Sequence, residues 1–216
     1  MMLRPSIGLV AGLIILACSP ARAANPLDDL IEPVNGKSAC FIRLYDAAHL
    51  RAHPRQKTTA MTVWMKYEPI GGGVPGIALG VSLAMTQRGD PSALFSQGGC
   101  EWNEKANRDT SNNRLIKTFP KEAGAVCLQS ARPDVFEAVS AEEGGSLILD
   151  RGRDRDTLMV YLDESLTMVK RANRSRLLNV KFGADDRVFL LRRTGPKDCA
   201  IVEEAVTEPE PGVRRR

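Results

Sequence analysis

The only two histidines of this chain, His49 and His53, stand four residues apart, and Asp46 lies three residues before the first. On a helix that spacing puts both imidazoles on one face, where they could chelate a divalent metal with the carboxylate as a third ligand. Such a centre would suit a metal-binding protein or a metal-dependent hydrolase. The zinc-protease arrangement also needs a glutamate directly after the first histidine as general base, and Leu50 holds that place. Asp46 better suits a different role, since it precedes Ala47-Ala48 as a helix N-cap, and Pro54 marks the stop. The residues therefore predict a short capped helix with His53 near its negative end. No metal ligand, cofactor or catalytic residue is assigned.

Other chemistries fare no better. No Gly-x-Ser-x-Gly elbow is present for a serine nucleophile. Carboxylates adjoin at Glu142-Glu143, Asp185-Asp186 and Glu203-Glu204, but neighbours on a strand point to opposite sides. A glycosidase needs two separated carboxyls facing one another across a cleft, so these pairs read as solvated turn and edge charges. Gly71-Gly72-Gly73 lacks the Lys-Ser/Thr continuation of a phosphate cradle and reads as linker. The basic run from Lys170 to Arg176 has no aromatic platform interleaved, which speaks against nucleic acid. It reads as a solvated turn, whose cations could touch anionic lipid or polysaccharide if the protein reaches the cell envelope.

The compartment is written at the N-terminus. Arg4 supplies a positive n-region, and Ile7 to Cys18 is an apolar run of 12 residues, far short of the ~20 needed to span a bilayer. Ala21-Arg22-Ala23 offers small residues at the recognition positions, so cleavage is expected between Ala23 and Ala24. A rival reading takes Ile15-Leu16-Ala17-Cys18 as a lipoprotein box with Cys18 acylated, though Leu16 is large for that site. Removing residues 1–23 takes Arg4 and Arg22 from 30 basic residues, leaving 28 against 26 acidic ones, a net +2. So slight a balance demands no polyanionic partner.

Of five cysteines, Cys18 leaves with the signal and four remain. An even number in an oxidising compartment implies two bridges. The wide spacing without any Cys-x-x-Cys argues against zinc. Three connectivities are open; the favoured one joins Cys100 to Cys127 and Cys40 to Cys199, across the middle of the chain. The alternative, Cys40–Cys100 with Cys127–Cys199, would tie each half to itself.

The elements that carry these residues are strands. Met61, Val63, Met65 and Tyr67 alternate with polar neighbours, and Ile77, Leu79, Val81, Leu83 and Met85 alternate with small ones. Period two marks half-buried strands, and the small residues at 78, 80, 82 and 84 imply close packing on the second face too. Further strands are expected at 39–45, 95–102, 115–119, 125–130, 146–150, 157–162, 176–182, 187–193 and 199–206. With one or two short helices, this spacing points to an all-β fold of mostly antiparallel short strands, a sandwich or a barrel. Gly89–Phe95 leading to Cys100 is similar to Ala184–Leu190 leading to Cys199, which suggests a weak internal duplication. The organisation expected is a signal peptide (1–23), a loose leader (24–38), two β halves (39–113 and 114–206) forming one compact unit, and a disordered tail (207–216).

The stretch from Cys40 to Gln56, together with Asp185-Asp186-Arg187-Val188-Phe189-Leu190 ahead of Cys199, resembles a group of uncharacterised exported bacterial proteins. The resemblance covers most of the mature chain and implies a stand-alone exported protein; it carries no activity, cofactor or catalytic residue. The function expected is non-enzymatic binding or structural service in the periplasm or outside the cell. That includes inhibition of a foreign enzyme by a rigid β scaffold. An envelope protein or polysaccharide is the expected kind of partner, and nucleic acid is not. The alternative is the metal centre at Asp46, His49 and His53.

Overall fold

The structure, a computed structural model, describes residues 26–70, 75–103, 124–130, 144–170 and 173–202. Ten antiparallel strands carry the fold: β1 (Ser38–Leu44), β2 (Thr58–Pro69), β3 (Ile77–Gln87), β4 (Asp90–Asn103), β5 (Gly124–Ser130), β6 (Ser146–Arg151), β7 (Thr157–Leu162), β8 (Ser165–Lys170), β9 (Asn173–Lys181) and β10 (Val188–Thr194). Eight of them close a ring in the order β3-β2-β1-β10-β7-β6-β5-β4, with β4 returning to β3. The fold is thus a barrel, which leaves no unpaired edge within the ring. β1 to β4 form one unbroken meander. β5 to β7 form a shorter one, after which the β8–β9 hairpin leaves the ring and β10 comes back between β7 and β1. The hairpin hangs on the first part of β4, at Leu94 and Phe95, where β5 no longer runs alongside.

The alternation that marks β2 and β3 in the sequence is the inside of this barrel. Met61, Val63, Met65, Leu83 and Met85 are buried with Phe41, Leu147, Leu149, Leu158, Leu162 and Phe189 in one apolar cluster. The lumen is a packed core, as in other small barrels whose inward side chains fill the interior. Two elements stop its ends. At one end, Leu27, Leu30 and Ile31 of the leader are buried in the same cluster, and Arg193 donates to the Leu30 carbonyl. At the other end, Leu166 and Met168 of β8 and Phe182 after β9 join the core.

Three expectations change here. The leader is not loose: a 3-10 turn at Pro26–Asp29 starts a plug, because its three large apolar side chains fit the open end of the barrel. The segment expected as a strand from 199 is a 3-10 turn, Pro196–Cys199, running on helically to Val202. It packs on the outer wall, where Cys199 and Val202 cluster with Cys40, Trp64, Ala84, Phe95 and Val169. That outer cluster is what the small residues on the second face of β3 make room for. β8 is an added strand, and β2, β3 and β4 are long, at 12, 11 and 14 residues. The α-helix α1 (Ala47–Ala52) is the one expected after Asp46. The signal peptide with its Ala23–Ala24 site, Cys18, residues 115–119, the boundary between the halves and the tail lie outside the described residues.

Cys40 is bridged to Cys199 and Cys100 to Cys127, the pairing favoured over bridges within each half. The first fastens the C-terminal turn to the outside of β1. The second joins residues directly opposite in β4 and β5, facing the lumen. Two bridges fit an oxidising compartment outside the cytoplasm. Among the described residues, no helix is long and apolar enough to cross a membrane.

Gly98 makes the close approach of β4 to β5 possible: a Cβ there would lie 1.8 Å from the Leu128 carbonyl oxygen. Gly98→Ala must spread these strands, and its melting temperature should fall by an amount equivalent to about 1 to 3 kcal/mol. An unchanged melting temperature would show that β4 and β5 have slack there. The bridges close chain separations of 159 and 27 residues, which chain entropy values at about 5 and about 3.6 kcal/mol. Urea unfolding should therefore find Cys40→Ala/Cys199→Ala less stable than Cys100→Ala/Cys127→Ala; the reverse order would contradict the chain-entropy account.

Candidate functional site

The histidine corner is built as a structural joint. Asp46 caps α1, its Oδ1 accepting the His49 backbone N–H at 2.7 Å. This hydrogen bond holds its carboxyl below the usual aspartate range. Tyr45, His49 and His53 stack in a row, with ring centroids 4.6 and 4.3 Å apart. The Arg43 guanidinium lies over Tyr45 at 4.8 Å. His49 Nε2 is 3.0 Å from Gln56 Oε1, and Gln56 Nε2 donates to the Thr58 carbonyl. Arg88 ends the helix by donating to the carbonyls of Leu50, His53 and Gln56. The stacked rings and the capping carboxylate do not converge on a point a metal could occupy. Among the described residues, no group of three histidine, cysteine or acidic side chains gathers as a ligand set.

Asp185-Asp186, expected as solvated charges, do different work. Asp186 is buried, 1% exposed, and its two oxygens accept the backbone N–H groups of Lys57 and Thr58, each at 2.8 Å. It bolts the start of β2 to the chain before β10. Asp185 holds the exposed Arg55 in a two-pronged pair at 3.2 and 3.3 Å. Glu142-Glu143 and Glu203-Glu204 lie outside the described residues.

Beside this joint, at the same end of the barrel, is a recess of about 580 Å³ between β9 and the ends of β2, β3 and β4. Leu94, Leu178 and Val180 give it an aliphatic floor; Gln87 and Asn179 add amides; Lys57, Lys170, Arg176, Lys181 and Asp90 supply charge. The floor is sound because Leu178 and Val180 are anchored to the core and Leu94 is itself buried. Lys170 Nζ sits 2.5 Å from Asp90 Oδ2. That hydrogen bond, with the Ser92 backbone N–H, lowers the Asp90 carboxyl to about 2. Asp90 therefore stays ionised at any physiological pH and cancels Lys170. Lys57, Arg176 and Lys181 have no ion-pair partner among the described residues, which leaves the recess with three uncompensated cations.

The sequence pointed at only a corner of this site. Of the basic run, Lys170 ends β8 and pairs with Asn173 at the start of β9. Arg176 belongs to a strand, and the fold carries it toward Lys57 and Gln87, residues far off in the chain. No protein-family model, curated protein or solved structure matches the chain.

The bolt can be weighed against the surface pair. Asp186→Ala leaves two N–H groups without their acceptor and should cost about 2 to 4 kcal/mol. Asp185→Ala loses a pair whose arginine side chain is 82% exposed and should cost less than about 1 kcal/mol. Equal midpoints in urea for the two variants would contradict the assignment of Asp186 as the bolt.

Proposed function

We propose that this is a non-enzymatic binding protein acting outside the cytoplasm, and that the recess beside β9 is its binding face. The observation that carries the reading is the charge of Lys57, Arg176 and Lys181, unpaired among the described residues, around a concave aliphatic floor. Structural surfaces usually interleave opposite charges, whereas a binding site concentrates one sign. The filled lumen supports the same reading: Phe41, Phe189 and Met61 are buried inside the barrel, whereas the recess is open to the outside. The two bridges favour a scaffold that meets its partner already rigid, which lowers the ordering cost of association. Export to the periplasm or the medium, and an envelope component as partner, belong to this reading.

Immobilised wild-type chain should retain material from an envelope extract that the Lys57→Gln/Arg176→Gln/Lys181→Gln variant lets pass. Equal retention by both would put the binding face elsewhere and end the proposal. The rival metal centre is tested by elemental analysis of the purified protein. Stoichiometric zinc, copper or nickel, lost in His49→Ala/His53→Ala, would replace this reading with that one.

A further inference from the structure

We infer that the recess takes an acidic polysaccharide, a chain of sugar residues bearing carboxylates. This rests on the binding reading and adds the chemistry of the ligand. Three features converge on it. The cations come from separate places, Lys57 from just ahead of β2, Arg176 and Lys181 from the two halves of β9. Such a spread suits a ligand that carries repeated charges along its length better than one compact ion. The rest of the polar lining is the kind that reads hydroxyls: the amides of Gln87 and Asn179 both donate and accept. Leu94, Leu178 and Val180 then offer an aliphatic surface for the C–H face of a pyranose ring. A lipid headgroup matches less well, because a bilayer surface meets protruding apolar side chains and this site is concave. Polyphosphate would use the cations and leave the amides and the aliphatic floor without a role.

The probes are defined oligomers and the whole mature chain. Polygalacturonate oligomers should bind, while dextran oligomers of the same length should not. Affinity for the acidic oligomer should fall roughly twenty- to forty-fold between 50 and 200 mM salt, as expected for about three neutralised charges. Arg176→Gln/Lys181→Gln should weaken binding at least ten-fold. Arg153→Gln, which removes one exposed charge at the opposite end of the barrel, should not change it. Both recess side chains are exposed, so melting temperatures should match wild type; should the variant misfold, the salt series and the dextran comparison on wild-type protein decide by themselves. Equal binding of dextran, loss with Arg153→Gln, or tighter binding of polyphosphate or phosphatidylglycerol vesicles than of the glycan would each overturn the inference. Recess-dependent capture of an envelope protein, with no affinity for acidic oligomers, would leave the binding-protein reading standing and this one fallen.

Discussion

The barrel depends on the seam where the first strand meets the last. Only Cys40, Phe41 and Ile42 of β1 find partners in β10, at Thr194, Arg193 and Arg192. Every other pairing in the ring is longer. Such a short ladder is a weak closure, and the chain reinforces it from three sides. The Cys40–Cys199 bridge starts inside the seam and clamps the turn that follows β10. Arg193 lies over the Phe41 ring at 4.9 Å and reaches on to the Leu30 carbonyl of the plug. Asp186, just ahead of β10, grips the start of β2. Loop closure across 159 residues is also the most costly closure in the molecule to make without a covalent tie.

The ring encloses a packed apolar interior. The two ends differ. One is stopped by the leader, with Asp29 paired to Arg151, and is engaged in holding the N-terminal segment. The other combines the α1 joint, the Asp186 bolt and the β8–β9 hairpin, and among the described residues it gathers uncompensated charge over a concave apolar floor. The rigidity of the joint has a direct bearing on the recess. Lys57 follows Gln56, and the backbone of Lys57 is fixed by Asp186 and by the Arg88 N–H, so its side chain starts from a settled position.

Much of the wall was legible in the sequence, because period-two alternation is imposed by the barrel itself: every inward residue of β2 and β3 must be apolar to fill the lumen. Asp46 as a helix cap was legible for the same local reason. What escaped depended on contacts between distant segments. Leu27, Leu30 and Ile31 lie among prolines and acidic residues, so their burial in the barrel end left no local pattern. β8 turns Leu166 and Met168 inward but Val169 to the outer cluster, so its apolar residues do not alternate cleanly with polar ones. The turn at Pro196–Val202 contains apolar Cys199, Ile201 and Val202, which suggest a strand until the outer cluster around Trp64 gives them a place. Asp186 looked solvated because its two partners are backbone N–H groups well over a hundred residues away. The recess escaped for the same reason: Lys57, Asp90 and Lys181 become neighbours only when the ring closes.

Amide hydrogen exchange on wild-type protein and on Cys40→Ala/Cys199→Ala tests the seam most directly. The account predicts that protection in the variant falls first and furthest at Phe41, Ile42 and along β10, while the long β2–β3 pairing keeps its slow amides. Loss of protection spread evenly over all strands, or confined to β2 and β3, would contradict the view that the bridged seam is what keeps the barrel closed.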